Sequence, residues 1–288
     1  MKENPSPPQQ QPTVVKYTQS YRGGVQVATL HRHAIGYVTR GKRYIYHGDL
    51  RREVGKGHVY YLGIGNHYIE DVPEPNKPFE QIVFFYDTSQ INKILNQLSL
   101  NYRLDIRNDH DCPNCNGRSE VSYPAWNTLK NFFASVGQYL TDDLFRNDEV
   151  AESLKITELV YLILSHEACC LRKCILENAD SSLASFEQTV YDNVFNDIPI
   201  GELARRCNRS LTSFKKEFKK HFNEPPHKWC IRQRLMHARL LLMSTAKSVA
   251  DIGSECNFPN TSHFIKLFKK EYGMTPVAYR KAHERVMV

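Results

Sequence analysis

In the last third of a 288-residue chain, two segments set lysines among phenylalanines four positions apart: Phe214-Lys215-Lys216-Glu217-Phe218-Lys219-Lys220 and Phe264-Ile265-Lys266-Leu267-Phe268-Lys269-Lys270. On a helix, residues four apart share a face, so each phenylalanine pair seeks a core while Lys216 and Lys266 point the other way. An ammonium group offers donors and no acceptor. The chemistry of such a face is anion binding, to phosphate oxygens for affinity and to base-edge acceptors for sequence preference. The charge balance agrees. From Glu187 to Val288 there are 18 Lys and Arg against 10 Asp and Glu, while the rest of the chain carries 20 against 21, so the whole net charge of +7 sits with these lysines. A positive field localised in this way calls for a polyanion.

Bond-making chemistry finds no comparable arrangement: no nucleophile is spaced with a base, and the chain is not expected to be an enzyme. Eight cysteines, at 112, 115, 169, 170, 174, 207, 230 and 256, stand in a chain with no export signal. They read as reduced thiols of a cytoplasmic protein. Cys112-Pro113-Asn114-Cys115 has zinc-ribbon spacing but lacks a second pair, although Cys170 and Cys174 could meet on one helix face. No metal and no cofactor are expected. No apolar stretch reaches the roughly 20 residues that cross a bilayer, so no membrane partner is expected either.

The elements that must hold the lysines follow from an internal repeat. Downstream of the two segments Phe222, Pro226 and Trp229 pair with Tyr272, Pro276 and Tyr279; upstream, after a one-residue slip, Ile200, Leu203, Cys207 and Asn208 pair with Val249, Ile252, Cys256 and Asn257. Each copy reads as a short amphipathic helix, a tight polar turn and a second helix, which is helix-turn-helix grammar. Ser210 and Asn260 stand where caps of the second helices belong, and Ser248 with Asp251 forms a capping-box pattern. Between the copies, Pro226 to Met243 carries Trp229, Ile231, Leu235, Ala238, Leu241 and Leu242 at helical spacing, a rigid connector of two recognition helices.

The N-terminal part has another rhythm. Residues 1–15 form a proline- and glutamine-rich tail expected to be disordered. Short apolar runs at Val25–Leu30, Ile35–Thr39, Tyr44–Tyr46, Val59–Leu62 and Ile82–Tyr86, punctuated by glycine turns, predict the strands of an antiparallel sandwich. Helical spacing begins at Ile91, Ile94 and Leu95, and longer helices are predicted near Trp126–Leu140 and Ile156–Leu176. Their stripes, including Leu159, Leu162 and Ile163, suit either packing on the sandwich or self-association into a homodimer. A polar stretch at Glu177–Ser185 reads as a hinge, giving a domain of strands and helices at 16–177, a linker at 178–186 and a basic helical domain at 187–288.

Ile200-Gly201-Glu202-Leu203-Ala204, Arg234-Leu235-Met236-His237-Ala238-Arg239-Leu240-Leu241, Ile252-Gly253, Phe258 through Phe268 and Gly273-Met274-Thr275-Pro276, in that order, resemble an AraC/XylS-type DNA-binding domain over about a third of the chain. The resemblance implies a transcription regulator, more often an activator, that binds double-stranded promoter DNA and, if an activator, engages RNA polymerase. It implies that the basic helical domain at 187–288 is the DNA-binding domain and that 16–177 is a sensing or dimerisation domain. Carried over by position, the base readers are Thr212, Lys215 and Lys216 in the first unit and Ser262, His263 and Lys266 in the second. Lys219, Lys220, Lys269 and Lys270 are the phosphate contacts. Asn257 stands where many members have glycine, and asparagine tolerates the left-handed backbone such a turn needs. Lysine in place of the frequent arginine gives up bidentate guanine reading.

The sandwich is similar, by strand rhythm alone, to the cupin-like sensing domains of the same family. The fold class is thus α+β, a cupin-like antiparallel β-sandwich with helices followed by an all-α domain. His31-Arg32-His33 resembles the start of a cupin metal site, but Ile35 to Val38 leave no carboxylate beside it, and the histidines are expected at the surface or a strand edge. Tyrosines 37, 44, 46, 60, 61, 68 and 86 suit a small-molecule pocket or plain strand packing. The effector, small molecule or regulatory protein, stays open at this point.

Overall fold

The structure, a computed structural model, describes residues 13–47, 50–104, 120–142, 145, 149–166, 170–177, 181–194, 196 and 198–283. The Cys112/Cys115 pair and residues 1–12 of the expected tail lie outside them. Strands β1 (Val14–Gln19), β2 (Gln26–Leu30), β3 (His33–Arg40), β4 (Lys42–His47), β5 (Leu50–Gly55), β6 (His58–Leu62), β7 (Gly65–Val72), β8 (Phe79–Tyr86) and β9 (Glu120–Pro124) build two antiparallel sheets. One has the order β1-β8-β3-β6-β9 and the other β2-β7-β4-β5. β6 shows why the sheets stack. Tyr60 and Leu62 face the sandwich interior with Val38, Ile45, Val54 and Phe79, whereas Val59 and Tyr61 face the other way, into a core shared with helices. The period of two that predicts a strand here sorts its side chains between two cores.

Four strands of this set, β1, β5, β7 and β9, carry polar sequences that do not read as strands. β1, inside the expected tail at its start, pairs along its length with β8. β5 is an edge strand, so Arg51, Arg52 and Glu53 can reach water. β7 is central, and its two carboxylates are satisfied within the fold. Asp71 takes two hydrogen bonds from Arg43, at 2.7 and 2.8 Å, and Glu70 accepts from Arg22 and Tyr46. Arg43 also donates to the Tyr60 hydroxyl, which in turn donates to Gln81. A buried charge held by a bidentate partner and a hydroxyl is tolerated where an isolated one would not be. Directly beside it, a Cβ on Gly36 would sit 2.1 Å from the Tyr60 ring, so any other residue there must displace that ring.

Helices α1 (Thr88–Tyr102), α2 (Asn127–Thr141), α3 (Glu149–Leu164) and α4 (Cys170–Glu177) share the outer core of the larger sheet. Asp87 caps α1 by accepting from the Gln90 backbone N–H at 2.8 Å. The expected single helix over Ile156–Leu176 is two. The Leu164 carbonyl accepts from the Arg172 guanidinium, and α4 packs against β6 and β9. Leu159, Ile163, Leu129, Phe132, Phe133 and Val136 are all buried in this core. Those stripes are consumed by packing, each side chain contributing about 1.5–3 kcal/mol, and a homodimer would need another face.

The stretch read as a hinge is largely helical. α5 (Ser181–Asn193) covers 181–185, while 178–180 lie outside the described residues. Phe186, Val190 and Val194 recur every four residues and enter the core of the first repeat unit. Polar composition hid a helix whose apolar stripe begins only at Phe186. α5 also packs on β7, where Gly65, at φ 132°, leaves room for the Tyr191 ring. His31 reaches Asp192 at 3.1 Å.

Candidate nucleic-acid interface

The first unit consists of α6 (Ile200–Arg206) and α7 (Leu211–Phe222), the second of α9 (Val249–Glu255) and α10 (Thr261–Tyr272); α8 (Pro226–Ser244) joins them and α11 (Pro276–His283) closes the chain. The sequence repeat is a repeat of hydrogen bonds. In the first turn the Asn208 N–H donates to the Arg205 carbonyl at 2.9 Å and the Arg209 N–H to Ala204 at 3.0 Å. In the second the Asn257 N–H donates to Ser254 at 2.9 Å and the Phe258 N–H to Gly253 at 3.0 Å. Asn208 and Asn257 both hold left-handed backbone, with φ 54° and 55°, as expected of asparagine in a glycine position. Ser210 accepts from the Ser213 N–H and Asn260 from the His263 N–H, so both second helices carry the side-chain caps their sequences announce.

Each unit has its own apolar centre. Phe214 and Phe218 pack with Phe186, Val190, Leu203 and Trp229, and Phe264 and Phe268 with Ile252, Phe258, Leu235 and Tyr279; all four repeat phenylalanines are fully buried. The connector serves both centres, giving Trp229 to one and Leu235, Ala238 and Leu242 to the other. Arg234, halfway along α8, fixes the units to each other. Its guanidinium donates to the carbonyls of Val194 and Asn196, between α5 and the first unit that α5 packs into, and of Asn257 from the second turn. Sequence reasoning quoted Arg234 only as part of a motif and missed this role, since its acceptors are backbone atoms that carry no residue signature.

With the phenylalanines inward, the candidate readers Thr212, Lys215, Lys216, Ser262, His263 and Lys266 are all exposed, as are Lys219, Lys220, Lys269 and Lys270. The other basic side chains of these units are largely committed to carboxylates. Arg205 and Arg206 pair with Glu202, Arg209 with Glu217, Lys228 and Arg232 with Glu224, and Lys247 with Glu255. None of the seven lysines of α7 and α10 has a carboxylate partner among the described residues. Their charge is left facing solvent, where it can displace counterions from a polyanion.

At the sandwich the histidine pair separates. His31 is exposed and paired with Asp192, whereas His33, expected at the surface, is buried, with Nδ1 2.7 Å from the Tyr61 hydroxyl. Burial pushes the His33 pKa down to about 4. Its place on β3 explains the difference, because it turns toward Tyr61 and Tyr86 rather than solvent. The tyrosines do not converge on one cavity. Tyr60 belongs to the sandwich interior, Tyr61 and Tyr86 to the core shared with helices, and Tyr37 stacks on Phe133. Among the described residues no three His, Cys, Asp or Glu side chains are grouped to hold a metal, and no helix is long and apolar enough to cross a membrane.

Two family descriptions match the chain, an ExsA N-terminal regulatory domain over residues 33–169 and a helix-turn-helix domain over 203–282. The transcriptional activator RhaS of an Enterobacter species is 27% identical over 167 residues, covering 56% of this chain and 59% of that protein. The transcriptional regulator ExsA of Pseudomonas aeruginosa is 24% identical over 132 residues, 46% of this chain and 48% of that one. The chain thus spans about half the length of the curated relatives it matches. A crystal structure of an apo ToxT variant from Vibrio cholerae superposes over 94% of this chain and 97% of its own with a TM-score of 0.50, at 11% identity, a likeness of fold alone.

Proposed function

On the premise that the chain, with its ExsA-type regulatory domain and tandem helix-turn-helix units, belongs to the AraC/XylS family of transcription regulators, we propose that it activates transcription from double-stranded promoter DNA. The observation that carries this reading is the set of seven uncommitted lysines on two helices held in equivalent frames. α7 and α10 enter successive major grooves of one asymmetric site. α8 has 19 residues, and at about 1.5 Å per residue it is roughly 28 Å long, matched to the ~34 Å repeat of the duplex.

Thr212 and Lys216 read base edges in one half-site, and Ser262, His263 and Lys266 in the other. Lys219, Lys220, Lys269 and Lys270 hold phosphates, giving affinity without sequence information. The helical domain folds and binds DNA by itself, and the sandwich controls it in response to a small molecule or a regulatory protein. Packing of β7 on α5 supports such control, since a shift of the sandwich is felt directly in the first unit. Bound near a promoter, the protein recruits RNA polymerase. It performs no catalysis.

The test is in vitro selection of a duplex by the full chain, followed by titration of variants. Lys216→Ala and Lys266→Ala should each weaken specific binding by about 1–3 kcal/mol and relax preference in one half-site only. Equal loss on all sequences would remove both as base readers, and absence of any selected sequence would remove the proposal.

A further inference from the structure

We propose that a groove along one flank of α7 is a clamp for a DNA phosphodiester strand, present in the first unit and dismantled in the second. The proposal rests on the reading that α7 occupies a major groove. The groove encloses about 470 Å³ beside the start of α6, with Lys215, Lys219 and His227 around a floor of Leu211, Pro225 and Pro226. No carboxylate lines it. Leu211, Lys215 and Lys219 follow at intervals of four, so they form one stripe along the helix, between the buried Phe214/Phe218 face and the outward Thr212/Lys216 face.

The dimensions of the duplex say what meets that stripe. A helix with its side chains is about 10–12 Å across, and the major groove is about 12 Å wide. A helix that puts Lys216 against the bases therefore has a sugar-phosphate strand against each flank. On this flank the strand meets three groups able to donate to its oxygens, with the aliphatic stems of both lysines and the two prolines left for the deoxyribose. An acidic protein segment would suit the same charges. The continuity of the stripe with the base-reading face favours the strand, because that segment and the duplex cannot both lie against α7.

The repeat makes the assignment specific to one unit. At an offset of fifty, Leu211, Lys215, Lys219 and His227 correspond to Thr261, Ile265, Lys269 and Val277. Of the three donor side chains one, Lys269, has a counterpart, and Val277 stands exposed where His227 stands in the first unit. Lys215 is thus a strand contact, not a base reader. The first unit supplies more of the salt-sensitive affinity, while the second, with Ser262, His263 and Lys266, depends more on its bases.

The experiment measures affinity of the full chain against potassium chloride concentration on two probes, the duplex recovered by selection and a random-sequence duplex. Lys215→Ala should lower the slope of log K against log salt by about one unit on both, roughly a tenfold loss at 0.1 M salt, and leave the selected sequence unchanged. Ile265→Lys, which restores one missing cation, should raise the slope by about one unit. If Lys215→Ala relaxes one base position with its slope intact, Lys215 reads a base and the clamp is refuted. If it changes neither property, the groove does not face DNA and the proposal falls, with an acidic protein partner then the occupant to seek. A wild-type chain that bound neither duplex would refute the functional reading itself, an outcome distinct from both.

Discussion

Replacing Arg234 with methionine keeps the aliphatic stem on α8 and deletes the fork that ties the two units. The guanidinium makes three hydrogen bonds to carbonyls, at 3.0, 2.9 and 2.9 Å. A hydrogen bond to a charged group is worth about 1.5–3 kcal/mol where water is excluded. Arg234 is only partly buried, so water competes at each acceptor and about 1 kcal/mol apiece is the better figure, roughly 3 kcal/mol in all. Arg234→Lys should recover only part of this, because a compact ammonium cannot reach acceptors set in three directions. Trp229 lies in the first-unit core beside Tyr191, Phe218 and Phe222, and in a Trp126→Phe background it is the sole tryptophan. Its fluorescence during urea unfolding reports the domain directly. The arginine sets how the units face one another, so specific DNA binding should fall more than non-specific binding. A methionine variant within ~0.5 kcal/mol of wild type, below the net worth of one ordinary hydrogen bond, and with undiminished sequence preference, would refute this account of the fork.

Further outcomes are expected in the sandwich and at its contacts. His33 titrates near 4 in the fold and near 6.5 when unfolded, so the unfolded chain binds the extra proton between those values; stability is complete above about pH 6.5 and falls by up to roughly 3 kcal/mol toward pH 4, a slope that His33→Gln should flatten in denaturant titrations. His221, raised chiefly by its hydrogen bond to Glu187, has the opposite sign. Its contribution is present at low pH and lost as pH rises through its folded pKa, and Glu187→Gln should remove that dependence from Trp229-detected unfolding. Gly36→Ala drives a methyl into a Tyr60 ring pinned by Gln81 and Arg43, and should cost about 1–3 kcal/mol, seen as a lowered thermal midpoint for the sandwich. Gly65→Ala sets a Cβ 2.6 Å from the Tyr191 ring at a left-handed φ, and should expose the backbone of α5 to hydrogen exchange before that of α10.

What could be read from residues differs between the halves of the chain for a physical reason. In the helical repeat nearly all the determinants are local: a capping oxygen three residues before its donor, asparagine at a left-handed turn, phenylalanines one helical turn apart. Two copies of the pattern then check each other, so the helices, their caps and the outward set of lysines were legible without coordinates. In the sandwich the determinants are non-local. β7 is a strand although it contains His67, Glu70 and Asp71, because Arg43 and Tyr46 arrive from β4 and Arg22 from the loop after β1 to satisfy the carboxylates. His33 gives no sign in sequence of being buried, and Phe186 gives none of belonging to the first unit rather than to a linker.

By itself, then, the sequence determined where the positive charge lies, the repeat that organises it and which side of each recognition helix must be buried, since these depend on spacing within one helix. Only the tertiary structure decided which basic groups remain available. Arg209 and Arg232 are as basic as the lysines of α7 and α10, but folding brings Glu217 and Glu224 to them from outside their own element, and among the described residues it brings no carboxylate to those lysines. The placement of Lys215 beside His227, twelve residues away, was likewise decided by the turn that brings α8 back past α7. Charge is a property of residues, whereas its neutralisation depends on distances that the chain acquires only when folded.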